Sequence, residues 1–144
     1  MQPLRLVALD EQDLAIISAH VQDAVTKVGE ISYNPADKQL VVPINRYAWE
    51  KKRRFFARRG ERRRSVLHFD RVLKVRTTGI DQTNRDQVLS LLTIEFEQSD
   101  APTGRVELIF AGGGAISLDV EVVEAQLADL GGAWEAGARP RHGV

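Results

Sequence analysis

The chain contains no cysteine among its 144 residues. This absence excludes disulfides, thiolate nucleophiles, cysteine-ligated zinc and iron–sulfur clusters. The three histidines, His20, His68 and His142, are scattered along the sequence and make a poor set of metal ligands without cysteine. We therefore expect neither a metal centre nor a cofactor.

Long apolar runs are also missing. The N-terminal stretch MQPLRLVALDEQD reaches its first acid after nine residues, so it lacks the apolar region of a secretory signal. No apolar run approaches the roughly 20 residues that a membrane-spanning helix requires. A hydrophobic content of 43% with 28% charged residues is ordinary for a globular protein. We expect a single cytoplasmic domain over residues 1–144, without a transmembrane segment.

The chain has no net charge, but its charge is unevenly distributed. Nine of the twenty Lys and Arg residues lie between Lys51 and Arg64, where Glu61 is the only acid. This basic segment (residues 51–64) therefore carries +8 and the rest of the chain −8. Such asymmetry indicates an interaction surface. The candidate binding residues are Lys51, Lys52, Arg53, Arg54, Phe55, Phe56, Arg58, Arg59, Arg62, Arg63 and Arg64.

Phe55 and Phe56 lie in the middle of the basic segment, and an exposed aromatic pair indicates a binding role. An anionic membrane surface would attract the cations while the phenylalanines enter the interface. Nucleic acid would offer phosphates to the cations and bases for stacking. An acidic protein surface is a third partner. The alternative without any partner is a solvated loop whose phenylalanines fold back onto the protein.

The N-terminal third predicts a helix over residues 10–24. Asp10 is suited to cap the free amides, and acidic residues follow in the first turn. Leu14, Ile17 and Val21 recur at helical spacing, and Ala24 continues the apolar stripe.

Strand patterns dominate residues 25–120. LVVPINRYAW contains Pro43, which predicts an edge strand or a bulge, and SVLHFDRVLKVRTTGI predicts strands broken near Asp70 and Arg71. Beyond a polar loop at GIDQTNRD, three alternating strands are separated by the turns SDAPTG and AGGGA. In these strands we expect inward side chains at Leu92, Ile94, Phe96, Val106, Leu108, Phe110, Ile116, Leu118 and Val120.

The apolar spacing changes near the C-terminus. Val120, Val123, Leu127, Leu130 and Trp134 follow at intervals of three and four, which predicts a helix over residues 120–131 and a loose tail over 132–144. The fold class is thus mainly β with flanking helices. About seven antiparallel strands would form a barrel or a strongly bent sheet, with an N-terminal helix and a C-terminal helix as the cap.

This element order resembles the pleckstrin-homology (PH) superfold, a bent seven-stranded sheet closed by one C-terminal helix. Fold alone does not assign a function. We expect a non-enzymatic, PH-like binding module whose basic segment contacts an anionic partner. In PH domains the phosphoinositide site lies in the first connection between strands, whereas the basic segment follows one connection later.

Several longer phrases are more specific: ALDEQDLAIISAHVQDAV, INRYAWE, ERRRSVLHFDRV and FAGGGAISLDVEVVEAQLADLG. From Leu6 to about His142 the chain resembles an uncharacterised family of short alphaproteobacterial proteins, a domain of unknown function. The resemblance implies a bacterial cytoplasmic protein and supplies no catalytic residue.

Two other motifs predict different functions. AGGGA has the glycines of a phosphate loop, but it lacks the following lysine and leads into a strand, which favours a hairpin turn. HFD places His68 and Asp70 on one face of a strand, where a small enzyme would use the pair for base catalysis, although Ser65 falls on the opposite face. A structural histidine is the simpler interpretation.

A homo-oligomeric scaffold is a third hypothesis, in which acidic helices contact the basic segment within one chain or across a homodimer. The acids concerned are Asp10, Glu11, Asp13, Asp23, Asp119, Glu121, Glu124, Asp129 and Glu135. Exposed ion pairs contribute only about 0–1 kcal/mol each, so they would steer docking more than they stabilise the fold.

Overall fold

The computed structural model describes residues 3–47 and 62–130. These residues form one α-helix, one short 3-10 helix and ten strands. The elements in chain order are β1 (Arg5–Ala8), α1 (Glu11–His20), β2 (Val25–Lys27), η1 (Val28–Glu30), β3 (Ser32–Asn34), β4 (Gln39–Tyr47), β5 (Arg62–Phe69), β6 (Val72–Thr78), β7 (Val88–Gln98), β8 (Gly104–Phe110), β9 (Ala115–Val120) and β10 (Ala125–Asp129).

The strands form one antiparallel sheet in the order β1-β10-β5-β4-β2-β7-β8-β9-β6, with β3 pairing β4 beside this path. Although β5 and β6 are far apart in this order, only Asp70 and Arg71 join them, so the sheet must be strongly bent. Contacts across the bend agree, since the Val72 amide donates to the Lys38 carbonyl at 2.8 Å and the Tyr33 hydroxyl donates to the Val72 carbonyl at 2.7 Å. The concave face and α1 enclose one apolar core, which is mostly aliphatic and includes Phe69 and Phe110.

The predicted start of the first helix and its buried face are confirmed. Asp10 is its N-cap and accepts the Asp13 amide at 2.8 Å, and Leu14 and Ile17 are buried. The helix ends at His20, earlier than the predicted residue 24, because Asp23 takes a left-handed backbone (φ 68°) and its amide bonds to the Leu91 carbonyl. Val21 and Ala24 are still buried, as the apolar stripe predicts.

The predicted C-terminal helix over residues 120–131 is wrong for the residues that the structure describes. Residues 125–129 form β10, in which Ala125 and Leu127 face the core and Gln126 alternates outward. Val123 is buried in the connection before β10, so the spacing of three and four arises from a loop and a strand together. These residues form a strand and not a helix because β10 pairs with β5 on one side and with β1 on the other. Trp134 lies outside the described residues.

The prediction that Pro43 marks an edge strand or a bulge is wrong, because β4 is internal to the sheet. It pairs with β5 along one side, while β3 and β2 share the other side. Pro43 falls between the residues of β4 that pair with β3 and Asn45, which pairs with β2. No ladder bond therefore needs its missing amide, and the Thr26 hydroxyl donates to its carbonyl at 2.6 Å.

The hairpins of the second half follow the predicted alternation, with one exception. Inward positions in β8 and β9 are buried, and the glycine turn has φ of 90° at Gly112 and 97° at Gly113. In β7 a bulge between Leu91 and Thr93 shifts the register. Leu92 is consequently 43% exposed and does not face the core beside Ile94, whereas Leu91 is buried.

Candidate functional site

The structure describes three of the candidate binding residues, Arg62, Arg63 and Arg64. The other candidates, Lys51 to Arg59, lie outside the described residues. The three arginines open β5 and pair with the end of β4, in the register Tyr47 with Arg62, Arg46 with Arg63 and Asn45 with Arg64. We call this end of the β4–β5 ladder, residues 45–47 and 62–64, the arginine end.

Alternation along the two strands divides these side chains between two faces. Leu40, Val42 and Ile44 face the core, and the same parity buries Arg46. Its partner Arg63 is half-buried on that face, while Arg62 is exposed on the opposite face. Arg46 was missed by sequence reasoning, although its parity with three buried aliphatic residues was a usable signal.

Arg46 is held in a buried polar cluster with Asp129 and Ser65. The Arg46 guanidinium donates from Nε to Asp129 Oδ1 at 2.9 Å and from Nη2 to Oδ2 at 2.8 Å. Ser65 Oγ donates to Oδ1 at 2.6 Å, and the Leu4 amide donates to Oδ2 at 2.9 Å. Arg46 and Asp129 expose only 1% and 2% of their side chains. The cluster therefore joins β4, β5, β10 and the residue that precedes β1.

The hydrogen bonds at Asp129 keep its carboxylate charged inside the protein. Burial alone would raise its pKa, but the hydrogen bonds from Arg46, Ser65 and the Leu4 amide, with the positive charge of Arg46, together hold the pKa below its ordinary value. A buried pair of this kind is costly to break, because the remaining charge would be uncompensated. The Leu130 amide also donates to the Arg64 carbonyl at 2.8 Å, so the start of β5 is anchored.

On the outer face, Arg62 and Arg64 contact Asn45 and Glu30 at distances between 3.2 and 3.4 Å. Arg62 Nη1 donates to the Asn45 carbonyl at 3.2 Å. Arg64 contacts Asn45 Oδ1 at 3.4 Å and Glu30 Oε1 at 3.3 Å. Arg64 also lines a solvent-open depression of about 380 Å³ together with Lys27, Glu30 and Asn45. The Arg64–Glu30 ion pair is exposed, and such pairs are weak and screened by salt, so an incoming anion can replace it.

His68 and Asp70 lie on one face, as predicted. His68 Nδ1 is 3.5 Å from Asp70 Oδ2, too far for a normal hydrogen bond, and Gln39 Nε2 donates to Asp70 Oδ1 at 2.9 Å. Ser65, the nearest hydroxyl in sequence, is buried on the opposite face and donates to Asp129. The described residues therefore do not assemble a nucleophile with this pair.

The acids of the scaffold hypothesis are mostly engaged elsewhere, and the described C-terminal ones are not on a helix. Glu121 binds Lys38 and Arg71, whose hydrogen bonds and charges lower its pKa. Glu124 also binds Arg71, and Asp119 binds Arg76. Among the acids of this set that the structure describes, Asp129 contacts the arginine end, through buried Arg46.

No group of three His, Asp or Glu side chains within the described ranges could hold a metal ion. Within the same ranges no helix is long and apolar enough to cross a membrane.

The family model for a protein of unknown function, DUF2948, matches residues 4–142, and the chain belongs to that family. This confirms the resemblance to a domain of unknown function. No curated protein and no solved structure shows significant similarity to the chain.

Proposed function

Because membership of this family assigns no activity, we propose a function from the site itself: the protein is a non-enzymatic module that binds a phosphate-bearing polyanion through its basic segment and arginine end. The observation that carries the proposal is the placement of Arg62 and Arg64. On the outer face of β5, Arg62 is exposed and Arg64 is half-buried. The backbone of this strand is anchored beside the buried Arg46–Asp129 pair and by the Leu130 amide.

The charge distribution supports local binding. The chain as a whole is neutral, so it offers no general attraction for a polyanion. The basic segment concentrates +8 and is joined to the sheet at Arg62. Lys27 and Arg64 line the same depression, against one acid, Glu30. Phosphates would therefore meet cations from the sheet as well as from the basic segment.

The residue types favour phosphate, and among phosphate carriers they favour a single-stranded nucleic acid. Seven of the nine cations in the basic segment are arginines, whose planar guanidinium matches phosphate oxygens in pairs. Phe55 and Phe56 add aromatic surfaces on which unpaired bases stack, at about 1–3 kcal/mol per base. An anionic membrane or an acidic protein would use the same cations without bases.

The test is fluorescence anisotropy of a labelled single-stranded oligonucleotide at several salt concentrations. Removing two phosphate contacts by the double change Arg62→Gln and Arg64→Gln should weaken binding. The logarithm of the binding constant falls as the logarithm of the salt concentration rises, and the double change should make this slope shallower by about 1.4. Each phosphate contact with a single strand contributes about 0.7 to the steepness of the slope. The matched control is Arg71→Gln with Arg76→Gln, which removes the same charge from exposed arginines paired to Glu121, Glu124 and Asp119. Its slope should equal that of the wild type.

A second variant separates stacking from charge. Phe55→Ser with Phe56→Ser should lower affinity for the oligonucleotide and leave the salt slope nearly unchanged, because stacking releases no counterions. Vesicles with anionic lipid and an acidic peptide serve as competing ligands. Binding to either of them without binding to the oligonucleotide would contradict the proposal that the ligand is a nucleic acid. An equal loss of affinity in the Arg62/Arg64 and Arg71/Arg76 variants would contradict the role of the arginine end.

A further inference from the structure

A cavity of about 200 Å³ lies far from the arginine end, where η1, β3, β4, β6 and β9 meet the loop between β6 and β7. Leu40 lines it and lies six positions before Arg46 on β4, a separation of roughly 20 Å at the rise of a strand. The mouth of a bent or closed sheet is a common position for a small-molecule site.

The lining of this cavity is about half polar and half apolar. The apolar part includes Val28, Ile31, Leu40, Val75, Leu89 and Ile116. Tyr33 also lines the cavity, but its hydroxyl already donates to the Val72 carbonyl, so the ring presents carbon to the interior. The apolar part can therefore contact an apolar body, while the polar part contacts the remainder of an amphipathic ligand.

The rim is polar and carries one cation, Arg85, beside Gln82 and Thr77. Gln82 Nε2 donates to Thr77 Oγ1 at 3.0 Å, and Arg85 Nη2 donates to the Gly29 carbonyl at 2.9 Å. Arg71, Arg76 and Arg105 form ion pairs with acids, whereas Arg85, like Arg5, forms none within the described residues.

The nearby acid Asp81 does not form an ion pair with Arg85, because its carboxylate is hydrogen-bonded within its own loop. The Thr83 hydroxyl donates to Asp81 Oδ1 at 2.6 Å, and the Thr83 amide donates to the same atom at 3.0 Å. These hydrogen bonds hold the pKa of Asp81 below its ordinary value. The Arg85 guanidinium therefore remains available at the rim for an external carboxylate.

Arg85 is fixed in position by a close backbone approach at Gly29. The Gly29 amide donates to the Arg85 carbonyl at 2.8 Å, and the Val28 amide donates to the Gln87 carbonyl at 3.0 Å. A Cβ at Gly29 would lie 2.9 Å from the Arg85 carbonyl oxygen, closer than side chains normally come. The loop is thus clamped onto η1, and Arg85 is pre-positioned at the cavity.

We infer that this cavity binds a small monocarboxylate with an apolar chain or ring, whose carboxylate pairs with Arg85 and whose body contacts the apolar part of the lining. The size agrees, because a cavity of about 150 Å³ accepts benzene, and about 200 Å³ leaves room for a six-carbon body with part of a carboxylate. A single cation with two neutral polar neighbours suits one negative charge, and arginine matches a carboxylate in pairs.

The test uses hexanoate and benzoate as probes, with hexanamide as the neutral isostere of the first. Binding to the full chain is followed by two-dimensional ¹H–¹⁵N spectra. We expect saturable shifts at the amides of Leu40, Val75 and Ile116 with either acid, and binding of hexanamide at least tenfold weaker. Arg85→Gln should weaken hexanoate at least tenfold and leave hexanamide unchanged.

The matched control is Arg76→Gln, which removes an exposed arginine of β6 that is paired with Asp119 and does not line the cavity. It should bind hexanoate as the wild type does. The inference is overturned if neither acid shifts the cavity amides. It is also overturned if hexanamide binds as well as hexanoate, or if Arg85→Gln binds hexanoate normally.

Discussion

Arg46 and Asp129, 83 residues apart in the chain, form a bidentate ion pair in which both side chains are almost completely buried. The pair lies where β4, β5 and β10 meet, with Ser65 and the Leu4 amide donating to the same carboxylate. It holds the strand ends that carry Arg62 and Arg64. A buried charge pair beside these two cations thus connects the stability of the fold to the candidate binding surface.

Removing one partner of this pair should destabilise the protein strongly. Arg46→Met leaves the Asp129 carboxylate buried without its main partner, and we expect a loss of about 3–5 kcal/mol in the free energy of unfolding. Arg71→Gln breaks exposed ion pairs and should cost only about 0–1 kcal/mol. Urea unfolding of the two variants measures both. Similar losses would mean that the Arg46–Asp129 pair behaves as a surface pair.

The lowered pKa of Asp129 predicts a specific loss of stability in acid. Above its ordinary value of 3.8 the carboxylate is charged in both the folded and the unfolded state, so its full contribution is present. As the pH falls below that value, the unfolded state takes up the proton first, and the contribution declines until the pH passes the folded pKa. In Asp129→Asn this decline is absent.

Urea unfolding of the wild type and Asp129→Asn between about pH 7 and about pH 3 measures this effect. The difference in unfolding free energy between the two proteins should be constant at higher pH and should shrink in acid. A difference that stays constant throughout would show that the pKa of Asp129 is the same in both states. Other titrating acids, such as Glu121, affect both proteins alike.

The sequence was sufficient where structure is determined locally. Asp10 and the spacing of Leu14 and Ile17 specify α1, and the glycines between β8 and β9 specify a hairpin. Strands β1 and β10 were not predictable in this way, because each is the other's partner across more than 100 residues, from Leu6 to Leu127. Their short segments acquire strand structure from the pairing itself.

The candidate site was also predictable only where it depends on local sequence. Composition revealed the basic segment, and the structure adds the register of Arg62 and Arg64. The role of Asp129 was not visible, because its hydrogen bonds to Arg46 and Ser65 depend on β10 pairing with β5. Its sequence neighbours suggested a helix surface. Arg85 was likewise hidden, since only the folded chain brings its loop to Gly29.

The bulge in β7 predicts opposite responses at two adjacent leucines. Leu91 is 2% exposed and Leu92 is 43% exposed. Leu91→Ala should therefore cost about 2–5 kcal/mol, through lost burial and the cavity left behind, whereas Leu92→Ala should stay within about 1 kcal/mol. If Leu92 alternated with Ile94 and Phe96 without a bulge, Leu92→Ala would cost more stability than Leu91→Ala. Urea midpoints of the two variants decide between these registers.

Gly104, at the start of β8, provides the last prediction. A Cβ at this position would lie 2.5 Å from two atoms of the Phe96 ring and 2.8 Å from the Glu97 carbonyl oxygen. Gly104→Ala should therefore force the ring to move and cost about 1–3 kcal/mol, as overpacking does elsewhere. Phe96→Leu removes the ring contact, so adding Gly104→Ala in that background should cost less than in the wild type. Thermal or urea unfolding of the four proteins measures this coupling. Additive losses would mean that the carbonyl of Glu97, and not the Phe96 ring, keeps position 104 a glycine.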